Sequence, residues 1–156
     1  MGGMTKALGV MGIVAGLALN AAGAEDRKVQ FALTGTFMMG ERFDGEFGGF
    51  IGPGVRLDLN LNKSFMISPE AMLLLYWSSV APACTLNLRF GLGYVGLGPM
   101  VTWATSDGHG IGLLKAHLGI KGGHALFEVF FVKGAASSHT WGQRPSLLGL
   151  TAGLVF

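Results

Sequence analysis

From residue 28 onward, polar and apolar residues alternate in eight stretches broken by turn-forming residues. A strand sends successive side chains to opposite faces, so a period of two predicts strands rather than helices. The stretches are 28–38, 47–61, 66–76, 84–91, 94–104, 111–121, 124–133 and 146–156. In the second, Ile51, Pro53, Val55, Leu57, Leu59 and Leu61 share one parity, while Arg56, Asp58, Asn60 and Asn62 share the other. In the fourth, Leu86, Leu88 and Phe90 alternate with Thr85, Asn87 and Arg89. In the sixth, Leu114, Ala116, Leu118 and Ile120 alternate with Lys115, His117, Gly119 and Lys121. In the seventh, Ala125, Phe127, Val129 and Phe131 alternate with His124, Leu126, Glu128 and Phe130.

Most stretches are about the 9–11 residues that a tilted strand needs to cross a bilayer. The even-numbered connections are tight: Asn62-Lys63-Ser64-Phe65, Leu92-Gly93 and Gly122-Gly123. The odd-numbered ones, 39–46, 77–83, 105–110 and 134–145, are longer and more polar, as in membrane barrels with short periplasmic turns and long outer loops. A two-residue loop at Gly122-Gly123 pairs Lys121 with His124 and sets His117 opposite Glu128. A two-residue loop at Lys63-Ser64 turns Glu70 outward, so an odd-length loop or a bulge is predicted there.

Composition sharpens the choice of environment. The chain has 156 residues, 50% hydrophobic and 13% charged, with 27 glycines and a mean hydropathy of +0.50. A soluble domain carries about 25% charged residues. Outside the N-terminus there is no apolar run of the roughly 18 residues that a spanning helix requires. These features together predict an all-β, eight-stranded antiparallel up-and-down transmembrane barrel, with apolar parity facing lipid and polar parity facing the lumen. The formal net charge of +2 is too small and dispersed for a nucleic-acid surface.

The N-terminus reads as a cleaved signal peptide. Lys6 supplies the positive region, residues 7–19 an apolar segment, and Ala22-Gly23-Ala24 a small-x-small cleavage site. Two parts follow: residues 1–24 as signal peptide and 25–156 as the outer-membrane barrel domain, with both mature termini in the periplasm. Cys84 is the one cysteine; it excludes an internal disulfide and is read as an apolar filler.

Mid-strand charges fall on the lumen parity, giving a predicted network of Arg56, Asp58, Glu70, Arg89, Lys115, His117, Lys121 and Glu128. A Lys or Arg facing mid-bilayer lipid costs about 2–4 kcal/mol. An eight-stranded barrel is just wide enough for side chains to fill, so the near balance of signs predicts packed filling rather than a conducting or catalytic site. On the lipid parity, Phe31, Phe90 and Phe156 mark one end and Phe37, Trp103 and Phe131 the other, as two aromatic girdles.

With this pattern, and the terminal Leu154-Val155-Phe156, the chain resembles the small eight-stranded outer-membrane barrels that include the OmpA transmembrane domain, OmpX and opacity-type proteins. The resemblance implies a Gram-negative-type outer membrane and contact with its lipid and lipopolysaccharide. It also implies Phe156 as an assembly signal read by the barrel assembly machinery during biogenesis. The expected role is structural or surface-presenting and non-enzymatic, without cofactor. Arg42, Lys133 and Arg144 lie near the outer rim, where they are candidates for lipopolysaccharide phosphates.

Two alternatives stay open: a narrow pore, and a lipid A deacylase of the PagL type. For the latter, Ser137, Ser138 and His139 occupy the last outer loop, but the His-x-Ser order of that family is absent. No carboxylate follows His139 either, whereas a nucleophilic serine needs a base and an orienting group. His109, His117, His124 and His139 lack the close spacing of metal ligands.

Overall fold

A computed structural model describes residues 28–41, 46–75, 79–103, 110–134 and 145–156. The proposed signal peptide, Arg42, Arg144 and the Ser137, Ser138 and His139 group lie outside the described residues. Eight strands run in sequence: β1 (Val29–Glu41), β2 (Phe47–Asn60), β3 (Phe65–Leu74), β4 (Ser79–Phe90), β5 (Gly93–Trp103), β6 (Gly110–Gly122), β7 (Ala125–Gly134) and β8 (Ser146–Val155). Each pairs antiparallel with its sequence neighbours, and β1 closes on β8, giving an up-and-down barrel without a free edge. Closure runs from Glu41↔Ser146 to Ala32↔Val155. It continues in the Phe156 N–H, which donates to the Phe31 carbonyl at 2.8 Å.

The parities are those of the alternation. Leu86, Leu88, Leu114, Leu118, Leu148 and Leu154 face outward, whereas Arg56, Asp58, Lys115, Glu128 and Thr151 are buried inside. Phe31, Phe90 and Phe156 are exposed at the end carrying the short turns, joined there by Phe65. Phe37 and Phe131 are exposed towards the other end, with Phe47 beyond them; the side chain of Trp103 lies outside the described part. Cys84 is free and exposed on the outer face of β4.

Two of the three short turns differ from expectation by one residue each. The β6–β7 pairing ends at Gly122↔Ala125, so the loop is Gly123-His124, and His117 stands opposite Phe130 rather than Glu128. The β4–β5 pairing ends at Phe90↔Gly93, making Gly91-Leu92 the loop. The reason is backbone sign. Gly91 (φ 61°) and Gly123 (φ 56°) each take the first central position with positive φ, as two-residue hairpins of the primed types require. A loop moved by one residue shifts register by two, so every side chain keeps its face. His124 therefore sits in the turn, bonded through Nδ1 to the Val155 carbonyl at 3.1 Å, rather than in the lumen.

The β2–β3 turn has the expected odd length. Asn60 pairs with Met66, and the Asn62 side chain accepts from the Ser64 and Phe65 N–H groups, both at 2.8 Å. That register places Glu70 directly opposite Arg56 on the inner face. β4 begins at Ser79, earlier than the predicted 84, so the β3–β4 connection is short and residues 79–83 belong to the wall.

The interior is fitted by setting glycine opposite bulk. Tyr94 pairs with Gly119, His117 with Gly96 and Phe130 with Gly149. A Cβ on any of these glycines would enter the van der Waals envelope of the opposing ring. Because overpacking costs about 1–3 kcal/mol, Gly149→Ala is expected to destabilise the barrel by that amount. Adding Phe130→Leu should recover part of the loss, measured as the urea midpoint of the folded gel band in detergent.

Candidate functional site: the ion-filled lumen

Four strands bring six of the predicted charges together, and a fifth adds a phenol. Arg56 and Asp58 project from β2, Glu70 from β3, Lys115 and Lys121 from β6, and Glu128 from β7, while β5 adds Tyr94. Arg56 is the hub. Its Nε donates to Asp58 Oδ1 at 2.6 Å, Nη1 to Glu128 Oε2 at 2.6 Å, and Nη2 to Ser68 Oγ at 3.1 Å. The guanidinium also lies 5.0 Å from the centroid of the Tyr94 ring.

From this hub the ions form one chain of alternating sign. Lys121 Nζ lies 2.7 Å from Asp58 Oδ2, Asp58 meets Arg56, and Arg56 meets Glu128. Lys115 Nζ is 2.7 Å from Glu128 Oε1 and also pairs with Glu70. The order is Lys121, Asp58, Arg56, Glu128, Lys115, Glu70, three cations and three anions, each inner member held between two opposite charges. An enclosed ion lacking such partners costs several kcal/mol even after relaxation. The sequence of signs is thus what allows six ionic groups inside one narrow barrel.

Neutral groups occupy the remaining positions. Tyr94 Oη donates to Glu128 Oε2 at 3.0 Å, and Ser68 Oγ to Asp58 Oδ1 at 2.6 Å. Gln30 Oε1 accepts from Lys121 at 2.7 Å. Asn87 Nδ2 donates to Ser68 Oγ at 2.8 Å, while its Oδ1 lies 2.5 Å from His117 Nε2. Arg89, only partly buried near the short turns, donates to Asn60 Oδ1 at 3.1 Å. Lys133 stands outside the lumen, exposed, with Nζ 3.4 Å from Ser146 Oγ.

Alternation carried the charged set; it did not single out Tyr94 or Gln30. Both lie on inner parity, and the visible signal was their polar tip among inward positions. What they contact depends on register across strands, which periodicity does not carry.

Above and below the ions the lumen is mainly apolar. Ala32, Met66, Leu126 and Val155, with the Tyr94 ring, pack near the short-turn end. A larger cluster drawn from all eight strands, including Met38, Phe50, Met100 and Leu147, packs towards the other end. Arg56, Lys115 and Glu128 are 1%, 0% and 0% exposed. Ions lining a wet channel would meet solvent, and these three are shielded from it.

The closed ladder, greasy exterior and ion-filled interior define an eight-stranded up-and-down barrel with a packed lumen, the architecture of the small barrels that the sequence resembles. No family model and no curated protein matches the chain. Two crystal structures of Ail, the attachment invasion locus protein of Yersinia pestis, align with it. The complex of Ail with the heparin analogue sucrose octasulfate aligns at 10% identity and a TM-score of 0.47, over 83% of this chain and 100% of that one. The second aligns at 8% identity and a TM-score of 0.45, over 82% and 97%. The fold assignment rests on the strand ladders themselves.

Removing one member of a buried pair strands its partner and costs about 3–5 kcal/mol. Arg56→Met should therefore lower stability by that order, because it leaves Asp58 and Glu128 each with a single cation. The double change Arg56→Met, Glu128→Gln leaves two complete pairs, Lys121 with Asp58 and Lys115 with Glu70, and should be milder than the single one. Unfolding midpoints in detergent, compared across the set, check this ordering.

Proposed function

We propose that the protein is an integral outer-membrane barrel of a Gram-negative-type envelope, with a non-enzymatic structural or surface role and a lumen closed by its own side chains. The observation that carries the reading is the inverted distribution of polarity. Large apolar side chains cover the outer face, including Ile51, Leu86, Leu97, Leu118 and Leu154, while six ionic groups are enclosed. A soluble monomer rarely shows a contiguous apolar patch beyond a few hundred Å². Strands of 10 to 14 residues with aromatics at both rims are what a bilayer asks of a barrel.

In this reading residues 1–24 direct export and are removed. Both mature termini then lie with the short turns in the periplasm, and the barrel assembly machinery engages the last strand through Phe156. Lys133, outward at the opposite rim, meets lipopolysaccharide phosphate, with Arg42 and Arg144 as further candidates. The packed ions favour a filled barrel over a pore, and planar-bilayer recordings without discrete conductance steps are the expected result.

Spin labels at Leu57 and Leu118 test the orientation in reconstituted protein. Contact with hydrocarbon is expected, and water contact at both positions would overturn the reading. Leu118→Arg should cost about 2–4 kcal/mol, the range for a cation facing the bilayer midplane. Lys63→Glu in the exposed turn should change stability by less than about 0.5 kcal/mol.

A further inference from the structure

The prolines of the wall are not scattered. The chain has five; Pro145 precedes β8, and Pro53, Pro69, Pro82 and Pro99 lie within β2, β3, β4 and β5. A proline has no N–H, so inside a sheet it removes a ladder bond and is ordinarily confined to edges and bulges. A closed barrel has no edge. Which seam loses the bond depends on the direction of each residue's backbone groups, and this alternates along an antiparallel strand.

The hydrogen bonds at the short turns set that direction. Leu61 N–H donates to the Phe65 carbonyl, so odd-numbered residues of β2 and β3, Pro53 and Pro69 included, face one another. Arg89 N–H donates to the Ser64 carbonyl on the β3 side, so even-numbered residues of β4, with Pro82, face β5. Lys121 N–H donates to the Leu92 carbonyl, so even-numbered residues of β5 face β6 and odd-numbered ones, with Pro99, face β4. All four missing donors therefore fall on β2–β3 and β4–β5, the two seams that flank the β3–β4 hairpin.

The ladders agree. The β2–β3 register breaks between Leu59↔Ile67 and Arg56↔Glu70, at Pro69, and ends at Gly54↔Met72, before Pro53. The β4–β5 register breaks between Leu86↔Leu97 and Ala83↔Met100, at Pro99, and goes no further, towards Pro82. Both seams are closed nonetheless. The Leu73 carbonyl lies hard against Gly52 and the Cys84 carbonyl against Gly98, each glycine next to a proline. The hairpin's own ladder runs without a gap from Phe65↔Leu88 to Leu74↔Ser79. The remaining five ladders are also unbroken.

The ions respect the same boundary. Pairs from Lys121 through Asp58, Arg56 and Glu128 to Lys115 join β2, β6 and β7. The hairpin adds Glu70, at the end of the chain, and Lys115 keeps Glu128 when Glu70 leaves. Its further links to the lumen include neutral ones, Ser68 to Asp58 and Asn87 to His117.

We propose that the β3–β4 hairpin is a built-in flap, which undocks from β2 and β5 as one unit while the other six strands and the inner ion pairs hold together. Proteins open locally in contiguous cooperative units, and the least bonded parts open first. The closed seams are the resting state, and the flap is the low-energy excursion from it. The inference goes beyond the membrane reading and stands on the ladders alone.

Amide hydrogen exchange of the full barrel in detergent micelles, followed residue by residue by NMR, tests it. The amides of Val55, Leu59, Ile67 and Ala71 on one seam, and of Leu86, Leu88, Val95 and Leu97 on the other, should exchange as one class. They should do so at least about tenfold faster than Leu118, Val129, Glu128 and Thr151, the scale of one or two absent net hydrogen bonds. Ser68 and Glu70, whose amides face β4, should stay with the slow class. Pro69→Val with Pro99→Val returns one donor to each seam and should slow the fast class towards the rest. In a Cys84→Ser background, Val55→Cys with Ala71→Cys, directly paired on the outer face, locks one seam when oxidised. Because the hairpin leaves as a unit, that lock should slow the β4–β5 seam too, and reduction should reverse it.

A single rate for all seams, or fast exchange that extends to Ser68 and Glu70, overturns the proposal. Slowing confined to the locked seam refutes motion as a unit. Exchange indifferent to the proline variants refutes the missing donors as its cause.

Discussion

The structure depends on neutralising charge inside a tube too narrow to hold bulk water. Three cations and three anions stand in strict alternation from Lys121 to Glu70. Attraction between neighbours offsets a desolvation cost that neither sign could meet alone. The arrangement links β2, β3, β6 and β7, strands that are not all adjacent in the wall. Arg56 and Glu128 reach each other across the lumen, so the network ties opposite walls together where backbone ladders join only neighbours.

Steric fit completes what the charges begin. Tyr94, which donates to Glu128, has room because Gly119 lies opposite. Phe130 lies over Gly149 and also presents its ring 4.7 Å from Lys115 Nζ. Glycines of the wall are thus matched individually to large inward groups. Small barrels fill their interiors by this alternation of large and small residues.

Much of this was legible in the chain because a strand's period of two is a statement about faces. Arg56, Asp58, Lys115, Lys121 and Glu128 declared their side by parity alone, and Glu70 forced an odd-length β2–β3 turn that the register bears out. Parity says nothing, however, about displacement along a strand. A loop of Gly123-His124 in place of Gly122-Gly123 preserves every face yet moves His117 from opposite Glu128 to opposite Phe130. The true start of β4 was hidden because Ser79–Ala83 is rich in small residues and proline, which read as loop. The partnerships of Tyr94 and Gln30 were hidden because they are contacts across the lumen, set by the stagger of strands distant in sequence.

The closing pair of strands has a consequence for how the molecule comes into being. β1 can find β8 only after the whole chain is present, and Arg56 meets Glu128 only once β7 has been laid down. Until that moment a growing sheet would carry bare ions on the surface destined to be its inside. A route in which hairpins bury themselves one at a time in hydrocarbon is therefore disfavoured at each step. Assembly instead favours a pathway that keeps the concave surface hydrated and seals it late, so that water leaves and the ions find one another in a single event.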